Sequence, residues 1–520
     1  MNLSLAEIAK ACGGELILRG TGETQGTSVC EQVSAETKVS SVVLDSRKIT
    51  ENGVFVATVG ERVDGHRFVK DVYDNGVILV VAEKTPEQVE TEHGIPASAW
   101  KSYVLVKDTF QALKDMAEYY RSKLTLPIVG ITGSVGKTST KEFIAGVLSE
   151  KYNVLKTEGN FNNEVGVPLT LLRIREEHEA AVVEMGISDF GEMHRLSKMV
   201  RPNVCVITNI GQCHLENLGD RDGVLKAKTE IFDFMDPEGY VCLNGEDDKL
   251  ATVTEVNGKK THFFGFGNNP AEEVYATDVE SKGLWGSEAV MHVADERSEG
   301  TPTLPEEVVF PVNVPLPGVH MVLNSAAAIC VARLLGLSNE QIKEGLSKVK
   351  AVGGRTNLIR LENYTLIDDC YNANPVSMRA ALDLLAMADT GKVAILGDMF
   401  ELGTDSDALH GGVGVYAVEK GCDILCCVGE NARFMYEAAV KALSGECETS
   451  SAEKNGADTL TKVHYFADRP ALLQALSTDM ESLVPIGSTV LMKASHGMHF
   501  EEVVNWFQTC KMIDNPVSCK

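Results

Sequence analysis

The sequence predicts an α/β protein of three domains: a small N-terminal α/β domain, then two domains with open, mostly parallel sheets covered by helices. The chain has 520 residues, which exceeds the size of one ordinary hydrophobic core. Continuous apolar runs, separated by helix-like stretches, recur along most of the chain, as they do in parallel sheets that are buried on both faces. The pattern changes near residue 108 and restarts after residue 351, so the predicted domains are 1–108, 109–351 and 352–520.

The composition narrows the class of protein and its compartment. A content of 44% hydrophobic and 23% charged residues is typical of a globular protein, and the formal net charge of −26 argues against nucleic acid or an anionic membrane as the main partner. No apolar run approaches the roughly 20 residues of a spanning helix, and the N-terminus shows no export signal. The 13 cysteines are scattered without a C-x-x-C pair, which favours reduced thiols. We therefore expect a cytoplasmic protein without membrane insertion.

The N-terminal domain is predicted from short runs rich in β-branched residues. These runs, at 42–44, 54–59 and 77–81, alternate with a polar, helix-like stretch. This pattern indicates a small α/β domain.

The central domain is predicted from strand, turn and helix signals that repeat. The strands are "LPIVGIT", "AAVVEMGIS", "PNVCVITNIG" and "GYVCLNGEDD", and "KEFIAGVLSE" has the pattern of a helix. Residues 271–311 lose this rhythm, and we interpret them as an added β-rich excursion. Functional side chains of such a sheet should gather at the carboxyl ends of its strands.

The C-terminal domain is predicted because the same pattern restarts. Its apolar runs lie in "YTLIDDCYNANP", "KVAILGDMFELG", "CDILCCVGENA", "KVHYFADRPALLQAL" and "STVLMKASHG". We expect a second open α/β sheet, with the polar residues 444–458 as a surface loop or a ragged helix end.

The segment "GITGSVGKTST" (residues 130–140) lies between a predicted strand and a predicted helix. Glycines there let backbone N–H groups converge on an anion, the helix N-terminus adds its dipole, and Lys137 adds a positive charge. Thr138 has the position of a Mg²⁺ ligand. The strict phosphate-loop spacing requires glycine at position 131, where this chain has Ile131. A glycine-rich turn without a ligand is the alternative, and the strand–loop–helix context favours nucleotide binding.

Three further residues are candidates for metal binding or catalysis. Glu184 ends an apolar strand, where either a Mg²⁺ ligand or a solvated carboxylate would fit. His214 lies just after the next strand and is weak evidence alone. Lys228 shares a helical stripe with Val224 and Ile231, so its ammonium either reaches out to solvent or is paired or chemically altered.

Together these segments resemble the Mur ligase family of ATP-dependent amide-bond-forming enzymes. The resemblance covers almost the whole chain and rests on eight stretches in the family's order: "DSRKITENGVFVATVGERVDGHRF", "GITGSVGKTSTKE", "EGNFNNEVGVPLTLL", "VVEMGIS", "TNIGQCHLENLG", "KAKTEIF", "DDCYNANP" and "ILGDMFELG". It implies an N-terminal domain that holds a UDP-sugar, a central P-loop ATPase domain and a C-terminal Rossmann-like domain that closes over both.

The resemblance also implies roles for individual residues. The expected catalytic residues are Lys137, His214 and Lys228, the last as a carbamate that supports a second Mg²⁺. The expected metal-binding residues are Thr138, Glu184, His214 and Lys228. The expected ATP-binding residues are Gly133, Ser134, Gly136, Lys137, Thr138, Ser139, Asn324, Arg355 and Asp369. The expected substrate-binding residues are Ser46, Arg47, Asn160, Asn162, Asn163, Tyr371, Asn372 and Asn374.

Among family members, the chain is most similar to the one that joins D-Ala-D-Ala to UDP-N-acetylmuramoyl-tripeptide. This implies ATP and two Mg²⁺ ions as cofactors, an acyl-phosphate intermediate, and a monomer. The member that adds the third stem residue is the nearest rival, but its Asp-Asn-Pro-Arg tetrad is missing. A nucleotide switch or motor and a degenerate binding scaffold are the alternatives from other classes. Ala494 and His496 replace the family's usual glycine and arginine.

Overall fold

The computed structural model describes residues 1–19, 33–60, 63–295, 306–350, 354, 356–444 and 461–509. These residues form three successive α/β units, each built around its own main sheet. The predicted fold class is thereby confirmed, while the exact domain boundaries stay predictions. None of the helices within the described part of the chain has both the length and the apolar character that a bilayer crossing requires.

The N-terminal unit has a sheet in the order β1-β5-β4-β3-β2, parallel except for the β1–β5 pair. The runs predicted at 42–44, 54–59 and 77–81 correspond to three of these strands, although each strand is shorter than or offset from its run. The elements are α1 (Leu5–Cys12), β1 (Glu15–Ile17), β2 (Val42–Val43), β3 (Val54–Val56), α2 (Val69–Asp74), β4 (Leu79–Ala82), α3 (Pro86–His93), β5 (Tyr103–Leu105) and α4 (Thr109–Ser122).

The central unit contains the largest sheet, in the order β16-β15-β14-β13-β10-β9-β6-β8-β7. From β7 to β14 neighbouring strands are parallel, whereas β14, β15 and β16 pair in antiparallel fashion. The elements are β6 (Ile128–Thr132), α5 (Lys137–Leu148), β7 (Val154–Lys156), α6 (Gly166–Leu171), β8 (Ala180–Glu184), α7 (Glu192–Val200), β9 (Val204–Ile207), α8 (Leu215–Leu218), α9 (Arg221–Thr229), β10 (Tyr240–Asn244), β11 (Glu255–Val256), β12 (Lys259–Lys260), β13 (His262–Gly265), β14 (Glu272–Ser281), β15 (Ser287–Asp295), β16 (Glu306–Val314), α10 (Val319–Leu334) and α11 (Asn339–Ser347).

Both faces of this sheet are buried, which explains the continuous apolar runs in the sequence. In β8, Val182 faces the core that includes Phe143 of α5 and Ala328 of α10, whereas Val183 faces the core that includes Met116 of α4 and Leu196 of α7. Alternate side chains of a strand point to opposite faces, so a sheet covered on both sides needs apolar residues at every position.

The predicted β-rich excursion is confirmed as the antiparallel extension β14–β16, which we call the arm. Its first turn, Gly283–Trp285, is the arm tip and contacts the C-terminal unit. Leu284 is 8% exposed and shares a hydrophobic core with Met378 and Leu382, and the Arg360 guanidinium carbon lies 3.6 Å from the centre of the Trp285 ring. The arm therefore forms a second connection between the units, besides the linker near residue 354.

The C-terminal unit has a sheet in the order β17-β18-β22-β19-β20-β21, parallel except for the β17–β18 pair. Each apolar run predicted here forms a strand, and residues 445–458 of the predicted surface loop lie outside the described residues. The elements are β17 (Asn357–Arg360), β18 (Thr365–Asp368), α12 (Pro375–Ala386), β19 (Lys392–Gly397), α13 (Ser406–Glu419), β20 (Ile424–Val428), α14 (Ala432–Leu443), β21 (Lys462–Phe466), α15 (Arg469–Thr478), α16 (Met480–Leu483), β22 (Thr489–Lys493) and α17 (Glu501–Thr509).

Candidate active site

The glycine-rich loop joins β6 to α5, as the sequence predicts. Gly133 has a φ of 147°, and a Cβ atom there would lie 2.0 Å from the Thr208 Oγ1 atom, so only glycine fits. Gly136, with a φ of 82°, is the N-cap of α5 and gives its first turn no side-chain cap. The Lys137 Nζ atom donates to the Gly133 carbonyl over 2.7 Å. An uncapped helix N-terminus with a lysine folded over its loop fits a phosphate group.

This loop faces a cavity of about 320 Å³ between the central and C-terminal units. The central unit contributes Ser134, Gly136, Lys137, Ser139 and Asn324 to the lining, and the C-terminal unit contributes Asp369, Tyr371, Asn372, Asn374 and Lys493. The cavity thus unites predicted residues that lie up to 240 positions apart in the sequence, from 134 to 374.

Glu184 is completely buried at the carboxyl end of β8, which excludes the solvated carboxylate that the sequence left open. Its Oε2 atom accepts a hydrogen bond of 2.9 Å from the Thr138 hydroxyl, and its Oε1 atom accepts one of 2.9 Å from the Asn162 amide. The Lys141 ammonium lies 3.6 Å from Oε2. A hydroxyl and a carboxylate side by side at the phosphate loop fit Mg²⁺, because hard oxygen atoms are the ligands it prefers.

Lys228 lies on the apolar face of α9 and is 1% exposed, so it does not reach out to solvent. Burial lowers the pKa of its ammonium to about 8; the nearby Cys213 thiol opposes this shift and the Lys137 ammonium adds to it. Among the residues that the structure describes, no carboxylate forms an ion pair with it. With this pKa, roughly a tenth of the Lys228 side chains are neutral, nucleophilic amines at pH 7, far more than for an ordinary lysine.

We call Lys137, Thr138, Lys141, Glu184 and Lys228 the polar edge of the central sheet. They lie at or beyond the carboxyl ends of its parallel strands, where open α/β sheets place their ligands.

His214 is directed towards the C-terminal unit. Its Nδ1 atom lies 2.9 Å from Oε2 of Glu401. Both residues have a left-handed backbone conformation, with φ angles of 52° for His214 and 62° for Glu401. The hydrogen bond from His214 is the main cause that lowers the pKa of Glu401. In this structure the imidazole therefore contacts a carboxylate across the boundary between two units, and its metal-binding role stays a prediction.

Two of the residues predicted to bind ATP have well-defined partners. Asn324 is buried on α10, and its side-chain oxygen accepts a hydrogen bond of 3.0 Å from the Thr140 hydroxyl, next to Gly136. The Asp369 carboxylate accepts from the Thr356 amide over 3.0 Å and from the Lys493 ammonium over 2.6 Å. Arg355 lies outside the described residues.

The residues predicted to bind the UDP-linked substrate lie on two loops that approach each other. The first loop carries Ser46 and Arg47, and the exposed Arg47 side chain pairs with the Asp45 carboxylate. The next residue in this loop, Lys48, has its ammonium 6.0 Å from the centre of the Phe161 ring, which belongs to the second loop. Phe161 belongs to the second loop together with Asn160, Asn162 and Asn163. Asn163 accepts from the amides of Val165 and Gly166, whereas Asn162 turns towards Glu184. The structure thus separates these asparagines, and Asn162 contacts the polar edge.

Two residues that the sequence reasoning missed are also part of the site. Lys141 lies one turn after Lys137 and Thr138 on α5, and this helical spacing was the available signal. Lys493 is 2% exposed at the end of β22, and its pairing with Asp369, 124 residues away, leaves no signal in a single sequence.

The fold and the site together define a phosphate-binding α/β protein whose ligand cavity lies between two domains. Three family profiles match the chain: "Mur ligase family, catalytic domain" at residues 38–121, "Mur ligase middle domain" at 131–332, and "Mur ligase, glutamate ligase domain" at 354–496. The chain belongs to the Mur ligase family, which confirms the resemblance drawn from its motifs.

Similar proteins extend along nearly the whole chain. The UDP-N-acetylmuramoyl-tripeptide–D-alanyl-D-alanine ligase of Bacillus subtilis (strain 168) is 32% identical over 486 residues, which are 93% of this chain and 95% of that protein. The ligase of the same name from Escherichia coli (strain K12) is 33% identical over 94% of this chain and 96% of its own length.

Solved structures give the same result. The crystal structure of MurF from Acinetobacter baumannii matches with a TM-score of 0.78 and 30% identity over 97% of this chain and 98% of that one. The MurF ligase from Thermotoga maritima in complex with ADP matches with a TM-score of 0.71 and 27% identity over 90% and 97%.

Proposed function

We propose that this protein uses ATP to join D-alanyl-D-alanine to UDP-N-acetylmuramoyl-tripeptide, the last amino-acid-adding step of the soluble peptidoglycan precursor. The observation that carries the proposal is the cavity in which the phosphate loop of one domain faces Asp369 and Asn374 of the next. The end-to-end similarity to ligases of this name supports the choice of substrates.

The proposed reaction has two steps. A carboxylate oxygen of the tripeptide attacks the γ-phosphorus of ATP, the bond to the β-phosphate oxygen breaks, and an acyl phosphate and ADP form. The amine of the dipeptide then attacks the acyl carbon, and phosphate leaves with the bonding electron pair while the amine loses a proton. The first step brings two anions together, so charge neutralisation and positioning supply most of the catalysis.

The residues of the central domain supply this neutralisation. The uncapped N-terminus of α5 and the Lys137 ammonium would hold the β- and γ-phosphates, and Asn324, which accepts a hydrogen bond from Thr140, is proposed to lie near the adenine. Thr138 and Glu184 would hold Mg²⁺, which supplies positive charge at the phosphates. Lys141, 3.6 Å from Oε2 of Glu184, orients that carboxylate.

The neutral Lys228 amine is proposed to attack the carbon of CO₂, to form a C–N bond and to release one proton, which leaves a carbamate. The reaction requires a neutral amine, and the lowered pKa of about 8 supplies one near neutral pH. The product replaces a buried ammonium by an anion with two oxygen atoms, which would support a second Mg²⁺ together with His214. Two metal ions and the carbamate are thus parts of the proposal.

The outer domains hold and enclose the substrates. The N-terminal domain, with Ser46 and Arg47, is proposed to bind the UDP part, and the loop of Asn160 and Asn163 the muramoyl peptide. The C-terminal domain carries Tyr371, Asn372 and Asn374 to the cavity and excludes water from the acyl phosphate, which would otherwise hydrolyse. The domain boundaries 1–108, 109–351 and 352–520, the monomeric state and the cytoplasmic location belong to the same proposal.

The test is release of phosphate by the purified protein with ATP and Mg²⁺. The proposal requires that release depends on both UDP-N-acetylmuramoyl-tripeptide and D-alanyl-D-alanine, with pentapeptide formed in equal amount. Tripeptides with lysine and with diaminopimelate at the third position should be compared. Phosphate release without either peptide substrate would instead favour a nucleotide switch or motor.

A further inference from the structure

Lys493, at the end of β22, is a buried cation that lines the cavity between the two domains. Its ammonium donates to Oδ2 of Asp369 over 2.6 Å, to the Asp369 carbonyl over 3.4 Å and to the Asn372 carbonyl over 2.9 Å. An ammonium has three donors, so each of them has a partner. All three acceptors belong to the loop that follows β18, and Lys493 therefore fixes both the backbone and the carboxylate of this loop.

The Asp369 carboxylate is held from its other side by the linker between the two domains. Its Oδ1 atom accepts from the Thr356 amide over 3.0 Å, and Thr356 has a φ of 49°, a conformation that a β-branched residue rarely adopts. The preceding residue, Asp368, accepts from the Gly354 amide over 2.8 Å, and the Tyr371 amide donates to the Gly354 carbonyl over 2.9 Å. The Asp369 carboxylate thus contacts both the linker and β22, and two further hydrogen bonds join the linker to the end of β18 and the loop.

We propose that Lys493 is a positioning residue for the ligase reaction, which holds Asp369 and the loop after it in the orientation that meets the nucleotide. The proposal rests on the proposed function, because it takes the nucleotide as the ligand of this cavity. Asp369, Asn372 and Lys493 all line the cavity opposite Gly136 and Lys137, so a small rotation of the carboxylate would change what the nucleotide contacts.

Two other roles for Lys493 must be separated from this one. It could stabilise the C-terminal domain only, since it is 2% exposed and ion-paired. It could also contact the nucleotide phosphates directly. A positioning role acts through the Asp369 carboxylate. The effect of Lys493→Met on nucleotide binding must therefore disappear when it is measured in the Asp369→Asn variant, which lacks that negative charge.

The test is a double-mutant cycle of Lys493→Met and Asp369→Asn, with ADP binding measured by calorimetry and kcat and KM for ATP measured with both peptide substrates. Loss of a partner that orients a metal ligand typically lowers affinity or activity by about 10- to 100-fold, and we take the same range for a partner that orients a nucleotide contact. We expect each single variant to lose ADP affinity and kcat/KM in this range, and the double variant to be no worse than Asp369→Asn alone. The double variant also removes both charges, so it remains testable if the unpaired carboxylate of Lys493→Met impairs folding.

The matched control is Thr489→Val, at the opposite end of the same strand. Thr489 is also 2% exposed and exchanges a hydrogen bond of 2.7 Å with Thr390, far from the cavity. This variant should lower the melting temperature and leave ADP affinity unchanged. The proposal is overturned if Lys493→Met binds ADP within about twofold of the wild type, which indicates a structural role, or if its effect persists in full on Asp369→Asn, which indicates direct contact with the nucleotide. ADP binding does not require ligase turnover, so a failure of the proposed substrates would leave this result interpretable.

Discussion

The polar edge and the arm tip are two parts of the same central domain with opposite physical character. The polar edge buries Lys141, Glu184 and Lys228 almost completely at the ends of parallel strands. The arm tip lies on the antiparallel extension of the same sheet and buries Leu284 in the core of the neighbouring domain, with Trp285 against Arg360. Folding thus removes charged groups from water at the polar edge, whereas it removes apolar surface from water at the arm tip.

This difference separates residues that serve the reaction from residues that serve the assembly of the domains. Desolvation of an unpaired charge opposes folding, so the burial of the Lys228 ammonium favours the proposal that this residue has a chemical role. Burial of a leucine favours folding and contributes nothing to charge transfer. Substitutions at the polar edge should therefore abolish the reaction without lowering the stability, and substitutions at the arm tip should lower the stability and largely spare the reaction.

The largest effect is expected from Lys137→Ala. It removes the positive charge that is proposed to neutralise the β- and γ-phosphates, so turnover should fall below detection while the melting temperature changes little. The measurement is phosphate release with all substrates present. Lys151→Ala is the matched control, since Lys151 contacts the carbonyls of Leu335 and Gly336 at the end of α10 and should be dispensable. Near-normal turnover of Lys137→Ala would refute its assignment.

The second prediction concerns the proposed carbamate. Lys228→Ala should be inactive, and a small carboxylic acid should restore part of the activity by supplying the missing anion in the vacated space. Lys226→Ala, two residues away and exposed, should behave as the wild type with or without the acid. Full activity of Lys228→Ala without any additive would remove the carbamate from the mechanism.

The third prediction concerns how much the buried Lys228 ammonium lowers the free energy of unfolding in CO₂-free buffer. Its pKa of about 8 in the folded state lies below the usual 10.5, so between pH 8 and 10.5 the unfolded chain binds more protons and wild-type stability rises with pH. Below pH 8 the wild type has the full destabilisation, which is about 3 kcal/mol when the difference between the two pKa values is converted at 1.36 kcal/mol per pKa unit. Lys228→Met should therefore be more stable than the wild type at pH 7 by up to this amount, and the advantage should shrink towards pH 10.5.

Denaturant unfolding of the two proteins at several pH values measures this difference. Lys226→Met should leave the pH dependence unchanged, because Lys226 is exposed. A Lys228→Met protein that is less stable than the wild type at pH 7 would contradict the view that this ammonium opposes folding.

The smallest effect is expected at the arm tip. Leu284→Ala should lower the free energy of unfolding by about 2 kcal/mol. This value is at the low end of the range for Leu→Ala substitutions in a core, because Leu284 lies at an interface between two domains. When the variant is folded, its kcat/KM for ATP should stay within about threefold of the wild type, since the truncation removes about 2 kcal/mol of packing and no charge. Val309→Ala is the control on the same arm, where Val309 is 51% exposed and should contribute little. A large loss of kcat/KM without loss of stability would show that the two regions are not separable.

The sequence predicted the strands and the glycine-rich loop well because their signals are local. A continuous apolar run such as 180–183 identifies a strand buried on both faces, and the glycines at 133 and 136 precede a helix that needs an anion at its N-terminus. Glu184 and Lys228 were recognised because their charge interrupts an apolar pattern, although burial could not be distinguished from solvation.

The rest of the site depends on long-range pairing. Three of its contacts join residues that lie about 100 or more positions apart in the sequence. They are the contact of His214 with Glu401, the pair of Asp369 and Lys493, and the insertion of Leu284 into the core of another domain. A periodic pattern records which face of an element is buried but not what covers it. The three asparagines at 160, 162 and 163 looked alike in the sequence for the same reason, although Asn162 turns to Glu184 and Asn163 accepts from two backbone amides just before and at the start of α6.

The central claim is that ATP is spent to phosphorylate a carboxylate of the peptide substrate. The most direct test uses UDP-N-acetylmuramoyl-tripeptide labelled with ¹⁸O in its terminal carboxylate, followed by mass spectrometry of the phosphate that is released. Transfer of one ¹⁸O atom into each phosphate is the predicted result, because the carboxylate oxygen that attacks the γ-phosphorus leaves with it. Formation of pentapeptide together with unlabelled phosphate would contradict the claim.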